Sequence, residues 1–248
     1  MAEAFTLDLA GFRTCISVAR RELEGLHLPL LAELGSRLKR SDRIIVLLAG
    51  PPGSGKTTLA ALWEELGRST GVPVQALPMD GFHLPNVELD ARTTVRDGVA
   101  VPLRRIKGSP ETFDLPALLT DLGGLRRGEV LKWPRYDRTL HDPVPDALEV
   151  GERGALIVEG NYLLLDEPGW RDLRSLGDLS IFVECPEPVA RERVIARYLR
   201  GGRPVEDAQR HYLRSDLPNL EWVGRSRLPA DIVLRAESGR SLRRVEGP

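Results

Sequence analysis

Residues 43–57 read Arg43-Ile-Ile-Val-Leu-Leu-Ala49 and then Gly50-Pro51-Pro52-Gly53-Ser54-Gly55-Lys56-Thr57. The first seven residues form a continuous aliphatic run, which is typical of a strand buried in a parallel sheet. The next eight match G-x-x-x-x-G-K-[ST], and a helical pattern follows them. Backbone N–H groups of such a loop, together with the start of the helix, face an anion. The segment therefore predicts a phosphate-binding loop in an α/β protein.

This loop predicts how ATP is held. We expect Lys56 to bridge the β- and γ-phosphates, and the Thr57 hydroxyl to bind Mg²⁺. A glycine-rich turn with an exposed lysine is the alternative, but the strand and helix on either side argue against it. The predicted nucleotide-binding residues are Gly50, Pro51, Pro52, Gly53, Ser54, Gly55, Lys56, Thr57 and Thr58.

Composition excludes several classes of protein. The chain has 248 residues, a net charge of -1 and two cysteines. Acidic residues at the start argue against a signal peptide, and no apolar run is long enough for a membrane helix. The charge balance argues against nucleic acid or a membrane as partner. We expect a cytoplasmic protein with a small-molecule substrate, for which a homodimer is allowed.

The hydrophobic pattern predicts a three-layer α/β sandwich around a mainly parallel sheet. Helical spacing of apolar residues before residue 41 predicts an N-terminal helical hairpin over residues 1–40, followed by a kinase-type domain over 41–236 and a flexible tail over 237–248. Residues 81–110 and 133–145 are interpreted as loops over the site. Further strands are predicted at 74–79, 155–158, 179–183 and 232–234, and helices at 59–66, 115–126 and 188–200.

Two carboxylates follow predicted strands. Glu159 comes directly after Ala155-Leu-Ile-Val158, and α/β sheets place their sites at the carboxyl ends of strands. We therefore expect Glu159 on the metal side. Asp80, in Met79-Asp80-Gly81, would accept a proton from an acceptor hydroxyl or assist the metal. The alternative for Asp80 is a simple Asp-Gly turn.

A competing hypothesis rests on another acidic pair. Leu163-Leu-Leu-Asp166-Glu167 looks like the strand of a transporter-type ATPase, in which an apolar run ends in Asp-Glu. Such ATPases also carry a Ser-Gly-Gly signature upstream, and residues 126–159 lack it. An ATPase or regulatory module built on Asp166 and Glu167 stays open as the alternative to a kinase.

Several motifs resemble the uridine kinase, phosphoribulokinase and pantothenate kinase superfamily of P-loop kinases, from about Ser41 to Arg235. Asp80-Gly-Phe-His83-Leu-Pro-Asn86 and Lys107-Gly-Ser-Pro-Glu-Thr-Phe-Asp114 are similar to pantothenate kinase segments. Pro134-Arg-Tyr136-Asp137 with His141 resembles a uridine kinase segment. The nearest likeness is to a branch described as nucleoside or fructose-type kinases, which shares the Met-Asp-Gly-Phe-His and Glu-Gly-Asn-Tyr patterns.

The resemblance implies roles for individual residues. It makes Asp80 the catalytic base and Glu159 the magnesium-side acid, so that the metal set is Thr57, Glu159 and Asp80. It implies that Asp114, Tyr136 and His141 contact substrate hydroxyls, with His83 as a substrate contact or a loop-packing residue. Arginines near Gly201-Gly202 resemble a lid that closes over the transferring phosphate, and Arg197 and Arg203 join Lys56 and Asp80 in the predicted catalytic set.

These observations predict a kinase that uses Mg²⁺ and ATP and phosphorylates a hydroxyl of a sugar, nucleoside or similar polar metabolite. The segment between Asp80 and Asp114 is longer than in uridine kinases, and the tyrosine-aspartate segment differs from that of pantothenate kinases. A pantothenate kinase-like vitamin kinase is the alternative within the same superfamily.

Overall fold

Strand β3 (Arg43–Ala49), which precedes the phosphate-binding loop, lies inside the central sheet of the computed structural model. The structure describes residues 1–9, 12–96, 98–238 and 241–245. The other strands are β1 (Ala2–Leu9), β2 (Phe12–Ala19), β4 (Val74–Pro78), β5 (Thr93–Arg96), β6 (Val99–Pro102), β7 (Lys132–Asp137), β8 (Asp142–Glu149), β9 (Gly154–Gly160), β10 (Leu179–Glu184), β11 (Ile232–Ala236) and β12 (Leu242–Val245).

Helices connect most of these strands. They are α1 (Arg20–Glu22), α2 (Leu28–Leu38), α3 (Lys56–Thr70), α4 (Asn86–Ala91), α5 (Leu115–Arg126), α6 (Glu187–Arg200), α7 (Val205–His211) and α8 (Leu217–Arg225). Two π-helical turns, Leu23–His27 and Tyr212–Asp216, join α1 to α2 and α7 to α8. Short 3-10 helices cover Met79–Phe82, Leu103–Ile106, Pro110–Thr112 and Trp170–Leu176.

The central sheet has the order β12-β11-β10-β3-β9-β4 within the described residues. All neighbours in it are parallel except β11 and β12, which are antiparallel. The carboxyl ends of β3, β9 and β4 therefore lie side by side at one edge, which is where ligands bind in sheets of this kind. The predicted strands and their parallel arrangement are confirmed.

Alternate residues of β3 face two separate hydrophobic cores. Ile44, Val46 and Leu48 pack on the side that carries α2, α3 and the β1–β2 hairpin. Ile45 and Leu47 pack on the other side, which carries α5 and the 3-10 helix Trp170–Leu176. Because both faces of the strand are buried, its sequence is uniformly aliphatic. The predicted three-layer arrangement is confirmed.

The predicted N-terminal helical hairpin is wrong in its first half. Strands β1 and β2 instead pair antiparallel, and helix begins only at Arg20. Thr14, Ile16 and Val18 alternate along β2, with Ile16 and Val18 buried, and β-branched residues at period two favour a strand over a helix. The second predicted helix is confirmed as α2, and the hairpin and α2 share the core beneath α3.

Three other segments are more ordered than the sequence predicts. Residues 81–110 contain α4 and the β5–β6 hairpin, and β7 and β8 form a second hairpin across residues 132–149. In the predicted tail, β12 pairs with β11, so backbone hydrogen bonds extend the sheet there. Residues 239–240 and 246–248 of that tail lie outside the described residues. Among the described residues, no helix is both long and apolar enough to cross a membrane.

Candidate active site

The phosphate-binding loop turns tightly between β3 and α3. Gly53 has a φ of 78°, and a Cβ there would lie 2.7 Å from the backbone oxygen of Ala190 in α6. Gly55, with a φ of 98°, is the residue from which α3 begins. Both positions require glycine, because L side chains are strained at such φ values. The loop is thereby held against α6 with its helix start exposed to an incoming phosphate.

Lys56 is the buried cation of the site, with 7% of its surface exposed. Its ammonium donates to the Pro51 carbonyl at 3.1 Å and to Asn161 Oδ1 at 2.9 Å. Burial lowers the pKa of Lys56 to about 8, although the nearby carboxylates of Glu159 and Asp80 oppose the shift. The structure thus holds the ammonium in place by neutral oxygens and leaves its charge for a phosphate.

Glu159 and Thr57 meet beside Lys56. Thr57 Oγ1 donates to Glu159 Oε1 at 2.9 Å, from the first turn of α3 to the end of β9. Glu159 is 7% exposed, and burial raises its pKa while the Lys56 charge opposes the rise. A hydroxyl and a carboxylate are the hard oxygen ligands that Mg²⁺ prefers. The described part of the chain has no group of three or more His, Cys, Asp and Glu that is placed to hold a metal ion, so other ligands of a metal here would come from phosphate and water.

Asp80 follows β4 on the 3-10 helix Met79–Phe82. Burial acts to raise the pKa of Asp80, but the charges of His83, Arg138, Lys56 and Arg197 together lower it. Arg138 Nη2 lies 3.8 Å from Asp80 Oδ2. At neutral pH this carboxylate is therefore ionised, as a hydroxyl-orienting group requires.

Gly81 fixes the position of Asp80 relative to the β7–β8 hairpin. A Cβ at residue 81 would collide with the backbone of Pro134 and Arg135 in β7. The Asp80-Gly81 pair is therefore a close-packed junction as well as a turn, which accounts for glycine at this place in the motif.

An aromatic group lies next to Asp80. The His83 ring is 3.9 Å from the ring centre of Phe113 and 5.1 Å from that of Tyr136. His83 Nδ1 contacts the Asp80 carbonyl at 2.8 Å, and burial lowers the pKa of His83. Burial and the Asp80 charge raise the pKa of Tyr136 to about 12. A neutral imidazole whose Nδ1–H donates to the Asp80 carbonyl leaves Nε2 to accept from a substrate hydroxyl, whereas a neutral phenol can donate or accept.

Two predicted substrate residues have other contacts. Asp114 caps α5, where its Oδ1 accepts from the Ala117 N–H at 3.0 Å. His141 has a φ of 55° at the tip of the β7–β8 hairpin, and its ring is exposed. Its carbonyl accepts from Lys107 Nζ at 2.7 Å and from the Asn86 side chain. A direct contact of either side chain with substrate stays a prediction.

The predicted lid arginines belong to α6 and the turn after it. Arg197 Nη2 lies 3.9 Å from Asp216 Oδ1, and its charge lowers the pKa values of both Lys56 and Asp80, so it is near the reacting groups. The Arg203 guanidinium lies 4.5 Å from the centre of the Tyr198 ring. Tyr198 in turn donates to Asp216 at 2.8 Å, which ties α6 to the π-helical turn before α8.

Sequence reasoning gave no role to Asn161 or Arg138, and it counted Arg193 only among the arginines of the lid. Asn161 lies in the Glu-Gly-Asn-Tyr pattern, and its position two residues after Glu159 was the available signal. Arg138 has only its place after Tyr136-Asp137 to mark it. Arg193 donates to the carbonyls of Gly53 and Ser54 at 3.4 and 3.2 Å, so it supports the phosphate-binding loop from outside.

The acidic pair of the ATPase hypothesis lies elsewhere. Leu163–Leu165 are buried in the core but do not form a strand of the sheet. Asp166 pairs with Arg171 at 3.2 Å, and Glu167 accepts from the Trp222 indole at 3.2 Å. Glu159 instead contacts Thr57 directly, so the geometry favours Glu159 as the acid of the nucleotide site.

Comparison with known proteins agrees with this geometry. The model of the phosphoribulokinase / uridine kinase family matches residues 45–238. The chain is 40% identical to "Uncharacterized protein YggC" of Escherichia coli K12, covering 94% of this chain and 96% of that one. It is 35% identical to "Putative uridine kinase C227.14" of Schizosaccharomyces pombe, covering 80% of this chain and 85% of that one.

A solved structure is similar over most of its length. The crystal structure of a "putative fructose transport system kinase" from Silicibacter sp. TM1040 superimposes with a TM-score of 0.72 at 37% identity, covering 82% of this chain and 98% of that one. Together with the phosphate-binding loop and its acidic neighbours, these likenesses confirm the predicted superfamily. The chain belongs to the phosphoribulokinase / uridine kinase family and is an ATP-dependent phosphotransferase.

Proposed function

We propose that this kinase transfers the γ-phosphoryl group of ATP to a hydroxyl of a sugar, nucleoside or similarly polar small molecule in the cytoplasm. The supporting observation is that Lys56, Glu159 and Asp80 follow or end three adjacent strands, β3, β9 and β4. A phosphoryl donor bound at Lys56 and an acceptor bound at Asp80 would then meet at one edge of the sheet.

In this mechanism Asp80 orients the acceptor hydroxyl and takes its proton as the oxygen attacks phosphorus. His83, held through its contact with the Asp80 carbonyl, and Tyr136 hold other hydroxyls of the acceptor. Lys56 donates to the phosphate chain, and Arg197 adds positive charge from the lid as charge shifts toward the leaving oxygen. Closure of the lid would exclude water that otherwise hydrolyses ATP.

Thr57 and Glu159 fit a magnesium ion, as their oxygen ligands and direct contact indicate. When bound, Mg²⁺ would offset negative charge on the phosphates. The hydrogen bond from the Thr57 hydroxyl to Glu159 keeps these two oxygens together, and both would hold the ion. The charge of Glu159, which is buried beside Lys56, also opposes the lowering of the Lys56 pKa by burial.

The test combines an acceptor panel with a substitution at Asp80. Wild-type protein is incubated with ATP and sugars, nucleosides, vitamins or pantothenate, and mass spectrometry identifies a phosphorylated product. We expect Asp80→Asn to lower kcat with that acceptor by about 10²- to 10⁴-fold, since general-base catalysis contributes on that order. ATP affinity should be nearly unchanged, because Asp80 does not form the phosphate-binding loop.

Asp42→Asn is the matched control, because Asp42 is exposed and pairs with Arg153 away from the site. Unchanged turnover in Asp80→Asn would remove Asp80 from the mechanism. Loss of ATP without any phosphorylated acceptor would instead favour the ATPase hypothesis.

A further inference from the structure

A cavity of about 720 Å³ adjoins the acceptor side of the site. It lies between the segment containing the β5–β6 hairpin and the lid formed by α7, α8 and the π-helical turn between them. We call it the basic pocket, because its lining cations are Arg96, Arg104, Arg105, Lys107, Arg203, Arg210 and Arg214. Asp207 is the carboxylate in its described lining.

Carboxylates neutralise only part of this charge. Arg96 forms a two-oxygen pair with Glu111 at 2.8 Å, and Arg210 pairs with Asp207. Arg105, Arg203 and Arg214 form no ion pair with any carboxylate among the described residues. Like charges held together in this way repel one another, so an anion bound among them would be stabilised.

Lys107 also faces the pocket, and the carboxylates of Asp142 and Asp90 compensate its charge only in part. Its ammonium donates to neutral oxygens, Asn86 Oδ1 at 2.6 Å and the His141 carbonyl at 2.7 Å. Burial and the neighbouring Arg104 lower the pKa of Lys107. An anion in the pocket would reverse this effect, because an opposite charge nearby favours the ammonium form.

Ser109 is a buried residue of the pocket lining. It is 3% exposed, and its hydroxyl has no hydrogen-bond partner of ordinary geometry within the described structure. The hydroxyl lies near Glu111 and helps to lower the pKa of that carboxyl. Ser109 therefore supports the Glu111 carboxylate that pairs with Arg96.

The basic pocket is continuous with the acceptor residues. Lys107 Nζ lies 5.0 Å from the centre of the Tyr136 ring and lowers the pKa of His83, whose ring nitrogen contacts the Asp80 carbonyl. A molecule with one hydroxyl at Asp80 can therefore extend past His83 and Tyr136 into the pocket. The whole chain has a net charge of -1, so the excess of positive charge is local to the basic pocket.

We propose that the acceptor carries an anionic group, a carboxylate or a phosphate monoester, which binds in the basic pocket while its hydroxyl lies at Asp80. The proposal rests on the kinase function proposed above and narrows its acceptor class. Arginine is suited to this task, since its planar guanidinium donates two parallel hydrogen bonds to either group. Arg105 enters the pocket from the segment containing the β5–β6 hairpin, and Arg214 enters it from the lid. An anion bound to both would therefore also draw the lid closed.

The experiment measures binding while Mg²⁺ and a non-hydrolysable ATP analogue occupy the phosphate-binding loop. The probes are D-ribose, D-ribonate, D-ribose 5-phosphate and inorganic phosphate, of which the first three share a pentose skeleton. We expect at least one anionic pentose to bind about tenfold more tightly than ribose or better, as for charge-assisted hydrogen bonds. Comparison of ribonate with ribose 5-phosphate separates the two anionic groups.

The double variant Arg105→Gln/Arg214→Gln should lose this preference and keep its affinity for the ATP analogue. Both arginines are exposed and form no ion pair within the described part of the chain, so the variant should unfold at a temperature no lower than wild type. Arg127→Gln, an exposed arginine beyond the end of α5, is the matched control and should keep the preference.

Three results would overturn the inference: ribose bound as tightly as the anionic pentoses, a preference that survives in the double variant, or no binding of any anionic probe. Phosphoryl transfer to neutral acceptors without preference for charge would overturn it and leave the proposed function standing. Arginine-dependent anion binding without transfer to any acceptor would instead contradict the kinase proposal alone.

Discussion

The two sides of the active site differ in how they carry positive charge. On the donor side, one buried lysine is surrounded by Pro51, Asn161 and Glu159, and eight contiguous residues form the loop. On the acceptor side, exposed arginines come from the segment containing the β5–β6 hairpin and from the lid, and several of them have no carboxylate partner in the part of the chain that the structure describes. The phosphate-binding loop is thus local in the sequence, whereas the residues that we propose for the acceptor come from segments far apart in the chain.

The sharpest way to break the donor side is to remove the charge of Glu159. Glu159→Gln keeps an oxygen for Thr57 but removes the negative charge that a metal requires, so we expect kcat to fall about 10²-fold or more. Glu167→Gln should leave kcat nearly unchanged, because the amide oxygen still accepts from Trp222. Steady-state kinetics with the acceptor found in the panel measure both. The opposite pattern would support the ATPase hypothesis.

The buried lysine gives the donor side a pH dependence. In the free protein the pKa of Lys56 is about 8, so the ammonium is largely neutral at about pH 9. A bound triphosphate favours the charged form of Lys56. Binding of an ATP analogue should therefore be accompanied by uptake of close to one proton by Lys56 at about pH 9 and of almost none at about pH 6.5. Affinity should therefore weaken as pH rises through about 8.

Calorimetry in buffers of different ionisation enthalpy measures this proton uptake. Lys56→Met, examined at higher ligand concentration, is the control and should show no extra uptake at the higher pH. Equal uptake by wild type at both pH values would show that burial does not hold Lys56 neutral in the free protein.

A smaller effect is expected on stability. A hydrogen bond from the far face of α3 connects the donor side to the N-terminal segment. Trp63 Nε1 donates to His27 Nδ1 at 3.1 Å, and both residues are 0% exposed. Trp63→Phe leaves His27 Nδ1 without its hydrogen-bond donor. The free energy of unfolding should therefore fall by about 1–3 kcal/mol, with kcat unchanged. Urea unfolding measures it. Trp222→Phe, which removes a half-buried indole hydrogen bond, should cost less.

The donor side could be predicted from sequence because its residues are contiguous or end strands. Lys56, Thr57, Glu159 and Asp80 each follow an apolar run, and the sheet order then brings them together. The first N-terminal helix was predicted wrongly because the spacing of its apolar residues fits both a helix and a strand. Phe12, Ile16 and Ala19 are spaced as on a helix, but Ile16 also belongs to an alternating Thr14-Ile16-Val18 series, which is the pattern that the fold uses.

The acceptor side could be predicted only in part. Asp114 is followed by Leu115-Pro116, and a proline in the first turn is a sign of a helix start, so its capping role could have been found. The basic pocket could not, because Arg105 and Arg214 are far apart in the sequence and arginine is abundant throughout. That charge cluster is created by tertiary packing, which brings the segment containing the β5–β6 hairpin next to the lid.

The place of β3 in the sheet sets the order in which the protein forms during synthesis. Arg43 pairs with Gly154 and Ala49 with Phe182, so this aliphatic strand leaves the ribosome long before either neighbour exists. Even β4, which is made soon after, bonds to β9 rather than to β3. The nascent chain must keep an apolar strand from pairing with other chains. The phosphate-binding loop after β3 is completed only once β9 and β10 have paired with that strand. ATP would therefore bind too late to guide folding and would stabilise the folded protein.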